Sequence, residues 1–144
     1  MVRRRDAVDR DLCLAAAGRS ASWTLTRSDG VRCASAPLHD EPLAGAIIAA
    51  LADVGLTPPA SITLLRWSAD DHGLPAGQGI GFLLDLTDGR LIDGGLLLSG
   101  GEPMTGWRPE AGGMALFDAS RPPLLTVMAP HAVTPRVAVL GQTS

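Results

Sequence analysis

The sequence contains no tyrosine and no lysine, and all twelve basic residues are arginine. Aromatic residues amount to only 3% of the chain. The all-arginine basic set, with abundant alanine and glycine, points to a GC-rich coding sequence and says nothing about function. Cysteine is equally scarce. Cys13 and Cys33 are too far apart for a CxxC motif and too few for a zinc site. Cys13 falls on the apolar side of an expected helix and reads as a small buried hydrophobe. No run reaches the ~20 apolar residues that a membrane helix needs. No apolar core follows the first arginines, so a signal peptide is not expected either. The formal net charge is only -3. The sole basic run, Arg3 to Arg5, is followed at once by Asp6, Asp9 and Asp11 and reads as a solvated end. Without a basic face, nucleic acid is not an expected partner, and neither is a membrane. The expectation is a cytoplasmic protein with free thiols.

What is present suits one domain over residues 1–144, long enough to bury a core without covalent staples. Residues 1–58 read as two helices and a hairpin. Asp6 to Ala17 carries Val8, Leu12 and Ala15 or Ala16 at helical spacing, and Gly18 is a plausible stop. The hairpin turns at "SDG" (Ser28 to Gly30). Its alternation predicts that Trp23, Leu25, Val31 and Cys33 face one way. The clearest helix is expected from Glu41 to Val54. Asp40 is a good N-cap and Pro42 lies in the first turn, where a missing N–H is harmless. Leu43, Ile47, Leu51 and Val54 form its apolar stripe, widened by Ile48. Gly55 and then Pro58-Pro59 end it.

From residue 59 onwards the chain changes character. Short apolar runs alternate with Gly, Pro and Asp turns. Strands are expected at Ser61–Trp67, Ile80–Leu86, Leu96–Leu98, Met114–Phe117, Leu124–Met128 and Arg136–Leu140. Many short, evenly spaced strands argue for an antiparallel sandwich or jelly roll. The two leading helices would cover one outer face of such a sheet.

Four passages then resemble one family, in order and spacing, over roughly residues 60–141. "ITLLRWSADDHGLPAGQGIGFLLDL" (Ile62 to Leu86) is similar to the strand, loop and strand around the HxD motif of the iron- and 2-oxoglutarate-dependent dioxygenases, near their prolyl-hydroxylase branch. "DGGLLLSGGEP" (Asp93 to Pro103) resembles that family's "GGEL" strand. "WRPEAGGMALFDAS" (Trp107 to Ser120) resembles its "P…G…LF" strand and turn. "TPRVAVLG" (Thr134 to Gly141) resembles the strand whose arginine grips the cosubstrate's far carboxylate. The resemblance implies a double-stranded β-helix with the two N-terminal helices packed on one face. It also implies iron and 2-oxoglutarate as cofactors.

The ligands for that iron are missing from the expected places. The family's site takes two histidines and one carboxylate on one face of the metal. Aligning on the following strand places the HxD pair at Pro75 and Gly77. Aligning on His72 places Leu74 where the carboxylate belongs. The distal histidine of the family falls at Leu125, in "LTV", and leucine has no lone pair to give. No metal ligand is therefore assigned and no cofactor is expected. Arg136 survives as a candidate for binding a carboxylate bidentately. The ordinary alternative for a lone charge in a strand is a pair with an internal acid. Trp67 and Trp107 are candidates for pocket walls, because ligand pockets favour aromatic linings; each could equally be core.

Asp70, Asp71 and His72 form the densest titratable cluster. If the protein has a general acid or base, His72 with Asp70 or Asp71 is the first candidate, since a carboxylate beside an imidazole orients it and raises its pKa. A polar loop is the ordinary alternative. His39 precedes a helix cap and His131 lies in a proline-flanked loop. "GQGIG" (Gly77 to Gly81) leads into a strand, where a phosphate cradle would want a helix N-terminus.

The leading expectation is a catalytically degenerate relative of these dioxygenases. It would bind a small carboxylate-bearing molecule, or a protein partner such as an active homologue or a second copy, without iron chemistry. The first alternative is a metal-independent isomerase, cyclase or lyase using His72 with Asp70 or Asp71. The second is an oxygenase with an unusual iron site built from His72, Asp70 or Asp71 and His131. Fold alone cannot choose among them.

Overall fold

Two short helices lie against one face of a seven-stranded antiparallel sheet, and a three-stranded sheet accompanies it. This computed structural model describes residues 2–19, 21–28, 30–68, 70–88, 95–98, 106–107, 109–127 and 135–143, with the backbone alone for 95–98, 106–107 and 124–127. The elements in chain order are β1 (Val2–Arg4), α1 (Arg10–Ala17), β2 (Thr24–Ser28), β3 (Val31–Pro37), α2 (Glu41–Ala52), β4 (Ser61–Trp67), β5 (Ile80–Asp85), β6 (Gly95–Leu98), β7 (Gly106–Trp107), β8 (Met114–Asp118), β9 (Leu124–Val127) and β10 (Arg136–Thr143). The large sheet runs β1-β8-β5-β10-β4-β3-β2 and the small one β7-β6-β9. No helix among the described residues is long and apolar enough to cross a membrane.

The helices form where their caps and stripes require. Asp9 accepts from the Leu12 N–H at 3.1 Å and starts α1. Asp40 accepts from the Leu43 N–H at 3.0 Å and starts α2. Each satisfies one of the amide donors that a helix start leaves over. Leu43, Ile47, Ala50 and Leu51 are the buried face of α2. Val54 lies past its end and, like Ile48, is about two-fifths exposed (41% and 40%). Cys13 and Ala16 are the buried face of α1, which begins at Arg10, after an N-cap at Asp9 rather than at Asp6.

Alternation along the strands sorts the core into two layers. Towards the helices, Leu64, Phe82, Leu84, Val137 and Val139 pack with Cys13, Leu43, Ile47 and Leu51. On the opposite, inner face, Val31, Cys33, Leu65, Trp67, Leu83, Phe117, Ala138 and Leu140 form a second cluster.

Two local expectations are corrected. Val2–Arg4 is not a solvated tail; it is the edge strand β1, with Val2 opposite Leu116 and Arg4 opposite Met114. Strand β8 supplies the ladder that a three-residue segment would not form alone. Leu25 and Cys33 do not share a face. The turn pairs Ser28 with Val31, which sets Thr26 opposite Cys33 and Leu25 opposite Ala34. A one-residue offset in register exchanges the faces of every side chain, so Leu25 is half exposed while Cys33 is fully buried.

The two free thiols therefore lie on opposite sides of the sheet, Cys13 among the helix-side residues and Cys33 on the inner face. Burial pushes both up to about 11. Since the thiolate is the reactive form, neither should react with Ellman's reagent at pH 8 in the native protein. Two equivalents should appear at once in denaturant. Rapid reaction of either thiol without denaturant would contradict this burial.

Candidate functional site

The inner face of the large sheet has a charged end, where β10 begins and β4 and β5 finish. Strand register brings three side chains together there. Arg136 stands opposite Trp67 on β4, and Ala138 stands opposite Asp85 on β5. Arg136 and Asp85 are thus diagonal cross-strand neighbours on one face, a spacing within reach of long side chains. Arg136 Nη2 donates to Asp85 Oδ1 at 2.6 Å. Both residues are only 4% exposed. The guanidinium carbon lies 5.9 Å from the centroid of the Trp67 ring, inside the range of cation–π attraction. Of the two readings that the sequence leaves open for Arg136, an external carboxylate or an internal acid, the structure shows an internal acid beside it, Asp85.

Asp85 is held through its backbone as well. Its N–H donates to Gly113 O and its carbonyl accepts from the Gly112 N–H, both at 2.9 Å. Full burial pushes the Asp85 carboxyl above the usual carboxylate range, while Arg136, Arg3 and the Glu110 N–H pull it back. Arg136 is a candidate from the sequence and Asp85 is not. The same signal marks both: each is the one charge in an otherwise apolar strand.

Trp67 is fully buried in the inner cluster, and its Nε1–H donates to Gly73 O at 3.0 Å. Its indole is part of the core at this end. Trp107 sits in β7 with its Cα opposite Leu97, but its side chain lies outside the described residues. Leu125, at the family's distal-histidine place, is likewise opposite Leu97, from β9.

The cluster at Asp70 to His72 folds over the β3 side of this face. His72 pairs through its backbone with Arg32, at 2.8 and 2.9 Å. Its ring is exposed, with Nδ1 at 3.2 Å from the Asp70 carbonyl oxygen. Asp71 is buried; its Oδ2 accepts from the Ser68 N–H at 2.9 Å and its Oδ1 is 3.2 Å from Arg32 Nε. Asp70 is exposed with a left-handed backbone, φ 71°, which aspartate tolerates better than most residues. Among the described residues, no hydrogen bond joins the imidazole to either carboxylate. Adjacency in sequence is here adjacency of backbone, while the side chains diverge. Gly73, with φ 85°, continues the turn, and a Cβ there would lie 2.0 Å from Gly30 O. This tight passage delivers Leu74 into the inner cluster.

His39 is exposed beside the cap of α2, and His131 lies outside the described residues. Among the described residues, no three His, Cys, Asp or Glu side chains come together as ligands for a metal. The donor set at the described part of the site does not fit the facial iron centre that the resemblance implies.

Neither a protein-family model nor a curated protein matches this sequence. Solved structures do match it. A prolyl-4-hydroxylase from Pseudomonas putida superposes with a TM-score of 0.72 at 16% identity, covering 99% of this chain and 90% of its own. The chain has the same fold, a double-stranded β-helix. HygX from Streptomyces hygroscopicus, solved with nickel, 2-oxoglutarate and hygromycin B, superposes with a TM-score of 0.66 at 10% identity, covering 97% of this chain and 80% of its own. The 2-oxoglutarate-dependent epimerase SnoN of nogalamycin biosynthesis gives 0.66 at 16% identity, with 97% and 75% covered. At such identities the likeness establishes the double-stranded β-helix and leaves the chemistry to the residues of the site.

Proposed function

We propose that this protein uses the oxygenase fold without iron- and 2-oxoglutarate-dependent oxidation, as a binding protein for a small ligand or a protein partner. The Asp85–Arg136 pair carries this reading. A cosubstrate carboxylate arriving at Arg136 would have to displace a carboxylate already bonded at 2.6 Å. It would also have to leave Asp85 buried and charged beside it, which is a strongly unfavourable arrangement. Leu125, Pro75 and Gly77 add to the argument, since none of them offers a side-chain donor to iron.

The test combines metal content and calorimetry. After anaerobic loading with Fe(II) and desalting, the protein should retain far less than one equivalent of iron. Titration with 2-oxoglutarate should give no saturable heat, in the wild type or in Arg136→Ala. Stoichiometric iron, or a saturable 2-oxoglutarate heat that Arg136→Ala abolishes, would overturn the proposal.

A further inference from the structure

The inner face changes chemistry along its length. At the Arg136 end it is charged and closed by Trp67. At the other end it opens into a cavity of about 210 Å³. Six residue steps of β10 separate Arg136 from Gln142, or about 20 Å at the usual strand rise. The two ends are therefore distinct places.

The polar lining comes from four neighbouring strands: Thr26 of β2, Ser35 of β3, Ser61 and Thr63 of β4, and Gln142 of β10. Register explains the convergence. Gln142 stands opposite Ser61, Leu140 opposite Thr63, Ser35 opposite Leu65 and Thr26 opposite Cys33. Alternation then points this set to the same inner face. Leu65 and Leu140, both buried, give the cavity its apolar lining, and Pro75 reaches it from the loop before β5. No charged side chain is among these lining residues.

The lining is held in place, yet it keeps hydrogen-bonding capacity. Gln142 Oε1 accepts from the Gln78 N–H at 3.3 Å. Its carboxamide packs so closely on Gly77 that a Cβ there would lie 1.8 Å from Nε2. Any side chain at 77 would push the amide aside, so glycine makes its position possible. Thr26 and Ser35 share a hydrogen bond of 3.3 Å. The hydroxyls of Ser61 and Thr63 make no hydrogen bond to protein among the described residues. Ser61 is exposed and Thr63 half-buried, so both hydroxyls, each a donor and an acceptor, can exchange water for a ligand.

We propose that this cavity binds a neutral polyhydroxylated molecule, a sugar or cyclic polyol ring. Hydroxyls and a carboxamide recognise hydroxyls by direct exchange for water, the leucines meet the ring's C–H surface, and the volume suits a single ring. An anion or cation would enter with nothing to offset its lost hydration. The inference does not depend on the fate of the Arg136 end: iron binding there would leave it standing, and its own failure would leave the earlier proposal untouched.

The test is a 1H–15N NMR titration of the full chain with methyl α-D-glucopyranoside, myo-inositol and, as the charged control, succinate. At least one neutral probe should give saturable shifts centred on the amides of Ser35, Thr63 and Gln142, with half-saturation at about 1–10 mM, as expected of so small a ligand. Succinate should not shift them. Thr63→Val and Gln142→Leu, each with a native-like spectrum, should weaken binding about fivefold for each hydrogen bond lost. The absence of saturable shifts with either neutral probe up to about 50 mM would overturn the proposal. So would shifts centred elsewhere, or binding by both variants as tight as that of the wild type.

Discussion

Asp85→Ala should lower the free energy of unfolding by about 3–5 kcal/mol, the usual result of removing one partner of a buried ion pair. Arg136 would keep its charge, inside a layer where it is 4% exposed, and lose the carboxylate at 2.6 Å. Most of that loss is the penalty on the charge left behind rather than the net worth of the pair. The double variant Asp85→Leu/Arg136→Met makes the distinction. It removes both charges and should recover most of the stability, since well-packed apolar substitutes for a buried pair are often neutral or better. Urea unfolding followed by circular dichroism measures both, and comparable m-values would license the comparison. A loss below about 1 kcal/mol for Asp85→Ala would mean that the pair is not buried as described.

Trp67→Ala should be as damaging, at about 3–5 kcal/mol. The indole is fully buried, and it also anchors a loop. Its N–H reaches Gly73 O at 3.0 Å, next to the backbone bridge of His72 with Arg32. Trp67→Phe keeps most of the ring and removes the donor, so it should cost about 1–2 kcal/mol. A tryptophan that only walled a pocket would behave differently, because alanine would then widen the pocket and spare the fold. A loss under about 1 kcal/mol for Trp67→Ala would favour the pocket-wall reading that the sequence leaves open beside a core role.

Much of the β-core could be read from short apolar runs between turn residues. Strand β4 matches its expected bounds at both ends, Ser61–Trp67, because a serine after a proline pair and a loop-forming "SADD" frame it. What escaped depended on partners. Strands β1 and β7 have no pattern of their own; each exists through the ladder its neighbour offers. The face of Leu25 depended on one residue of hairpin register. Arg136 stood out as a charge within an apolar strand, but its partner lies 51 positions away. Only the alignment of β5 on β10 brings the two together. The cluster at residues 70–72 is the opposite case. Its density in sequence suggested an acid–base pair, but left-handed turns at Asp70 and Gly73 send the three side chains to different neighbours.

The place of β10 has a consequence for synthesis. Residues 136–143 fill the middle of the large sheet, between β4 and β5, yet they are the last of its strands to leave the ribosome. Until then the strands on either side, β1-β8-β5 and β4-β3-β2, carry facing edges with unpaired amides and carbonyls. Such edges recruit other strands, and incomplete sheets are the aggregation-prone species of larger chains. Once β8 has been made, the two halves still cannot join until β10 follows. A cut just ahead of Arg136 would part both halves from the strand that joins them.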